Sequence, residues 1–401
     1  MKTTLEPHEG AALDATRYSG WTLMSIIILG AVISLPGLIA PALAVQLAQQ
    51  LGLSASQIGA YFFIELMAFS SAALPAQFWM GRFDERRVAR VAAVVFVVAN
   101  CVTAGMPFHL GELLALRFVA GLAGGTLGLL CMTSAGMSPN PDRAFGLWIV
   151  GQLVAGAIGL YFLPQLFAVF GLKSLFLCVA ALTTLALPLC GAFSSRLTKP
   201  VRRPRGAGRV RQAGAPGRDG RFALLVVSAV CVFYLAIGAV WSFSSRAAAG
   251  AGLDPILSGK ILSIATLMGI AGAMTASVIG GRGSRRLILG LGYGLLIAAL
   301  VGLCTGPHLA GYAVSVFAFK FAWTFVIPFV FAVAAKEDAS GRLTSAVGFI
   351  TGVALAVGPL VAGVLLDRGV SYGALCGGAA VLCAISFLCM LLANRRLAGA
   401  A

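Results

Sequence analysis

Residues 194–222 read SSRLTKPVRRPRGAGRVRQAGAPGRDGRF, the one long polar stretch in a chain of 401 residues. Nine basic residues (Arg196, Lys199, Arg202, Arg203, Arg205, Arg209, Arg211, Arg218 and Arg221) stand there against a single acid, Asp219. Its proline and glycine content opposes a stable helix, so the stretch reads as a linker near the midpoint of the chain. Nearly unbroken apolar sequence lies on either side. The expected organisation is a first unit over residues 1–193, a basic linker over 194–220 and a second unit over 221–401.

A chain with 59% hydrophobic and 10% charged residues, and a mean hydropathy of +0.96, lies far outside the soluble range. A bilayer is the solvent that fits. The net charge of +16 would suit a nucleic-acid partner only if the basic residues formed one continuous face. They occur instead as short clusters between apolar runs, so no nucleic-acid partner is expected. The nine cysteines all lie inside apolar segments and form no Cys-x-x-Cys pair. They read as small hydrophobes rather than as metal ligands or disulfides.

Residues 1–20 lack the pattern of a secretory signal, with no basic n-region, short apolar core and small-residue cleavage site. Crossing the hydrocarbon takes about 20 helical residues. Runs of that length fall at 21–45, 57–80, 88–107, 111–134, 144–166 and 173–194, and after the linker at 221–245, 257–280, 287–305, 309–334, 344–366 and 372–393. Alternation of the kind a membrane barrel needs is absent, so the expected fold is all-α, with twelve transmembrane helices. Almost all of the 29 basic residues fall at the two ends of the chain, in the linker or on the turns after even-numbered spans. Only Lys173, Arg246 and Arg368 fall on the opposite turns. The positive-inside rule then puts both termini and the linker in the cytoplasm. The linker could also touch anionic lipid.

The two apolar units repeat one another. The turn MGRFDERRVAR (80–90) corresponds to IGGRGSRRL (279–287), Arg117 in LALRFVAG to Lys320 in VFAFKFAW, and Arg143 in NPDRAFG to Arg342 in ASGRLTSAVG. The offsets are 200, 203 and 199 residues, as expected of a duplicated six-helix unit of the kind that builds secondary transporters.

On these residues the chain resembles the major facilitator superfamily, in its bacterial twelve-helix form. That family's turn between helices 2 and 3 follows Gly-x-Leu-x-Asp-Arg-x-Gly-Arg-Arg. Here Gly81 to Arg90 follows it with Glu85 in place of Asp, Val88 in place of Gly and Ala89 in place of Arg. Arg117 with Gly121, Gly124 and Gly125 resembles the helix 4 pattern, and Gly358-Pro359 with Gly363 resembles helix 11. The resemblance implies two pseudo-symmetric six-helix bundles around a cavity lined mainly by helices 1, 4, 7 and 10, and alternating access by rocking of the halves. It also implies a gate at the turn, with Gly81, Arg82, Asp84, Glu85 and Arg86 as its candidate residues.

Ionisable groups inside spans are informative, because one at the bilayer centre costs about 2.5 to 3.5 kcal/mol on the cheapest scales. Four stand out: Glu65, Arg117, Lys260 and Lys320. Lys260 lies near a span end, from which it can snorkel. Arg117 and Lys320 fall on helices that the resemblance places at the cavity, and two cations there would favour an organic anion. Glu65 is the only acid well inside any span and so the candidate proton carrier, with Arg117 as its partner. Tyr234, Trp241, Phe321 and Trp323 could stack on a ring-bearing ligand. Pro36-Gly37 and Gly358-Pro359 should bend their helices, and Gly121 to Gly125 should allow close helix approach.

No catalytic motif is present: no phosphate-binding Gly-x-x-x-x-Gly-Lys-Ser/Thr, no metal-ligand cluster, and only His8, His109 and His308, none in a zinc or nucleophile motif. With no cofactor or ATP site expected, the driving force should be an ion gradient. The leading expectation is a proton-coupled carrier of a small organic anion in the cytoplasmic membrane. It is expected to act as a monomer whose partners are its substrate, the coupling ion and membrane lipids. An efflux antiporter is the alternative, although span 5, GQLVAGAIGLYFLP (151–164), has Pro164 out of place for the Gly-x-x-x-Gly-Pro-x-x-Gly-Gly signature of the family's antiporters. A non-transporting sensor would need a larger output segment than the termini and linker offer.

Overall fold

The structure is a computed structural model. It describes residues 19–80, 82–105, 109–193, 220–280, 284–305, 308–336 and 342–399. Gly81 and most of the basic linker lie outside the described residues.

Among the described residues, twelve helices are long and apolar enough to cross a bilayer. They are α1 (Gly20–Leu38), α2 (Ala55–Ala76), α3 (Glu85–Gly105), α4 (Leu110–Gly136), α5 (Pro141–Phe170), α6 (Lys173–Ala192), α7 (Gly220–Ser242), α8 (Pro255–Ile279), α9 (Arg285–Cys304), α10 (Leu309–Ala334), α11 (Ala346–Asp367) and α12 (Tyr372–Asn394). The backbone hydrogen-bond demand of a lipid-embedded chain is met inside each helix, and the chain is a multi-pass membrane protein. Successive crossings put the start of α1 and the end of α12 on one side, called here the terminus side. The opposite side is the far side.

The span expected over 21–45 is broken. Ile39 leaves helical geometry between α1 and a second helix, Ala40–Leu51. Pro36 and Gly37 loosen the end of α1, and Pro41 then opens the next helix in the first-turn position that proline tolerates. Pro359, by contrast, lies within an uninterrupted helix.

The packing repeats between the halves. In the first, α1 packs on α5, α2 and α3 on α4, and α3 on α6; in the second, α7 packs on α11, α8 and α9 on α10, and α9 on α12. Two pseudo-symmetric six-helix bundles result. They meet where α2 lies against α11 and α5 against α8.

Small residues make that interface tight. A Cβ on Gly59 would lie 2.5 Å from the Pro359 carbonyl oxygen, one on Gly259 would lie 2.5 Å from the Leu160 carbonyl oxygen, and one on Gly363 would run into the Ala55 carbonyl. Helices in lipid associate through close packing of this kind, because lipid tails are as apolar as the side chains. Polar contacts reinforce it. Ser263 Oγ donates to the Ala157 carbonyl at 2.7 Å. At the far side, Asp367 accepts from the backbone N–H groups of Ala55 at 2.9 Å and Ser56 at 2.8 Å. Helix Ala40–Leu51 also packs there on Ser244–Gly250, the helix that follows α7. The two halves are closed together on the far side.

Candidate functional site

Lys320 stands on α10, and Trp323 shares its helix face one turn on. The last turn of α7 brings Trp241 to the other side. The Lys320 ammonium lies 3.7 Å from the centre of the Trp241 ring and 3.9 Å from that of Trp323, the two indoles being 6.2 Å apart. Phe319 extends the aromatic wall, 6.0 Å from Trp323. Thr324 Oγ1 donates to the Gly269 carbonyl at 2.7 Å, pinning α10 to α8 beside the lysine.

Lys320 is 2% exposed. Among the described residues its ammonium has no hydrogen bond and no carboxylate partner. Two desolvated cation–π contacts supply about 2 kcal/mol each, against an effective burial cost of several kcal/mol for an ammonium. Neither indole face accepts the three N–H donors as an oxygen would. The site therefore holds a positive charge that its own residues stabilise only in part. The indole N–H of Trp323 is likewise buried without an acceptor.

Arg117 has a different setting. It is fully buried, and its guanidinium donates to Asn100 Oδ1 at 3.1 Å and to Thr103 Oγ1 at 2.6 Å, both on α3. It lies 3.6 Å from Glu65 Oε1 on α2 and 4.6 Å from the centre of the Phe176 ring on α6. Tyr61 is buried beside the pair, with its hydroxyl close to both groups but outside hydrogen-bonding geometry. Gly121 makes the pairing possible: a Cβ there would meet the Glu65 carbonyl and come within 2.9 Å of the Ala68 Cβ, so α4 and α2 could not approach so closely.

The expectation of two cations facing one cavity is thus corrected. Arg117 turns into its own half, toward α2, α3 and α6, where a carboxylate and two neutral acceptors surround it. Of the two, Lys320 is the one without a carboxylate partner among the described residues. Tyr234 is buried within the second half, its ring 6.5 Å from that of Phe331, and is not one of the rings on which the Lys320 ammonium packs. Lys260 lies near Tyr161 of the other half, 5.9 Å from the ring centre.

At the α2–α3 turn, Asp84 accepts from the Arg86 backbone N–H at 3.2 Å and lies 3.9 Å from Arg87 Nε. Arg86 Nε donates to the Phe193 carbonyl at 2.8 Å, tying the turn to the end of α6. Arg82 is exposed. Glu85 is 2% exposed, with neither carboxylate oxygen hydrogen-bonded. These residues sit at the terminus side, where the described residues show no ion pair joining the two halves.

Sequence reasoning missed Asn100, Thr103 and Asp367. The first two are three apart on α3, a spacing that puts two polar side chains on one face of an otherwise apolar helix. Asp367 carries no such signal.

The sequence matches the family model described as Major Facilitator Superfamily over residues 21–338. Among solved structures the fold is similar to that of the xylose transporter XylE from E. coli in its inward open conformation, with a TM-score of 0.70 and 14% identity over 91% of this chain and 94% of that one. It is similar to a bacterial homolog of the human lysosomal transporter Spinster, with a TM-score of 0.69 and 15% identity over 94% and 97% of the two chains. The nucleoside transporter NupG gives a TM-score of 0.66 and 13% identity over 93% and 99%. At these identities the likeness is one of fold. No curated protein matches the sequence.

Proposed function

The chain belongs to the major facilitator superfamily, and from that premise we propose that it is a secondary active transporter that moves a small organic anion across the cytoplasmic membrane, coupled to protons. One observation carries this reading: Lys320 is buried between Trp241 and Trp323 with no carboxylate to neutralise it. Its counterpart in the first half, Arg117, has Glu65. An anion arriving at Lys320 supplies the missing charge and the missing acceptors.

The halves are closed on the far side, and alternating access requires that contact to break while the terminus side closes. The termini lie in the cytoplasm on the charge asymmetry of the turns. On the terminus side, Gly81, Arg82, Asp84, Glu85 and Arg86 form the gate, in which Glu85 takes up a partner only when that side shuts.

Glu65 carries the coupled proton. Protonating it does not strip Arg117 of acceptors, because Asn100 and Thr103 remain bonded to the guanidinium. The pair can therefore switch with the guanidinium still held by two neutral acceptors, which offset part of the cost of the lost counter-charge.

The test is a ligand-stability screen on purified protein, comparing organic acids, sugars, amino acids and amphipathic cations for their effect on the melting temperature. Organic anions should raise it for the native chain and not for Lys320→Met. Stabilisation by lipophilic cations alone would overturn the reading.

A further inference from the structure

We propose that the substrate carries one carboxylate on an apolar, ring-sized body, and that the carboxylate seats on two donors, the Lys320 ammonium and the Trp323 indole N–H. The inference rests on the anion-transport reading above and narrows it.

Charge sets the valence. Only one of the two membrane-embedded cations paired by sequence is free to meet an anion, since Arg117 is occupied by Glu65, Asn100 and Thr103. A dianion at Lys320 would leave one negative charge unpaired in a desolvated site, at a cost of several kcal/mol by the same physics that makes lone buried ions rare. A monoanion leaves none.

Hydrogen bonding sets the group. Two buried donors lie on side chains three residues apart on one helix, both without acceptors: the ammonium, 3.9 Å from the Trp323 ring centre, and the N–H of that same ring. An indole N–H can only donate. A carboxylate offers two acceptor oxygens on one carbon, one for each donor, and charge-assisted bonds of this kind are the strong ones. A neutral amide supplies one acceptor oxygen and no charge, and a protonated amine supplies no acceptor and a charge of the wrong sign.

The surroundings set the body. Trp241 and Trp323 wall the ammonium with aromatic carbon, and Phe319 lies beside the Trp323 ring. A substrate body packed against these rings gains from apolar burial and ring contact, whereas a polyhydroxylated one would leave its hydroxyls without partners.

Calorimetry on the full-length protein in detergent or nanodiscs tests this with four matched probes: phenylacetate, phenylacetamide, phenylmalonate and phenethylammonium. Phenylacetate should bind at least tenfold more tightly than each of the others. Lys320→Met should abolish its binding. Trp323→Phe keeps a smaller aromatic ring and removes the N–H together with the five-membered ring, and should weaken phenylacetate about tenfold. Tighter binding of phenylmalonate, lost in Lys320→Met, would sink the single-carboxylate seat but leave anion transport standing. An unchanged affinity in Trp323→Phe would sink the two-donor seat. Anion binding indifferent to Lys320→Met would remove the underlying reading itself.

Discussion

The carboxylate of Asp367, at the end of α11, accepts the backbone N–H of Ser56, at the start of α2, at 2.8 Å, and so ties the second half of the protein to the first. Its other oxygen takes the N–H of Ala55 at 2.9 Å. Four N–H groups at a helix start have no partner within the helix, and the dipole there favours an anion. Ser54 already caps α2 from within, in a reciprocal pair with Gln57, so Asp367 acts as a second cap delivered from across the interface.

Replacing Asp367 should therefore loosen the far side. A cap of this type contributes about 1 kcal/mol, which corresponds to about a fivefold change in the ratio of closed to open conformers. Pulsed electron paramagnetic resonance between spin labels at the exposed positions Gln49 and Arg246 should show a longer distance population growing in Asp367→Ala. Gly363→Leu, which puts a side chain into the Ala55 backbone, should move the same population further. Unchanged distributions in both variants would show that this contact does not hold the far side shut.

Breaking the Glu65–Arg117 pair from one side should cost more than removing both groups. Glu65→Ala leaves a fully buried guanidinium without its counter-charge, at about 3 kcal/mol. Glu65→Ala with Arg117→Met removes the uncompensated charge and should recover part of that loss. Unfolding midpoints of the two single variants and the double variant would reveal the coupling; strict additivity would mean that the two groups do not act as a pair.

Glu85 gives a prediction of opposite sign for stability and rate. Its carboxylate is buried with no hydrogen bond in this conformer, so Glu85→Gln should leave the protein as stable or raise its melting temperature by a few degrees. If the carboxylate finds its partner when the terminus side closes, the same change should slow turnover several-fold. A variant that is less stable and equally fast would remove Glu85 from the gate.

Much of the fold was legible because the bilayer imposes a coarse rule: a helix must present about 20 apolar residues to cross it. That rule finds twelve spans without any knowledge of packing. It does not find the break at Ile39, which depends on how Pro36, Gly37 and Pro41 divide a run that is apolar throughout. The site was legible in part. Charge inside a span marks Glu65, Arg117 and Lys320 at once, but a helix apolar all round carries little signal of which face turns inward. Arg117 could thus be placed on α4 and not aimed; Asn100, Thr103 and Phe176, which receive it, belong to other helices. Asp367 was invisible for a further reason. It reads as an ordinary loop acid, and its partners Ala55 and Ser56 lie in the other half of the chain.

The most direct test of the account is solute uptake by proteoliposomes under a proton gradient, acid outside, using pooled isotope-labelled monocarboxylates with protein-free vesicles as the control. At least one monocarboxylate should accumulate with the native protein, lose its accumulation when a protonophore collapses the gradient, and fail to accumulate with folded Lys320→Met. Undiminished accumulation by Lys320→Met, or accumulation confined to neutral and cationic solutes in a parallel pool, would contradict the claim that the lysine held between Trp241 and Trp323 is the anchor for a transported anion.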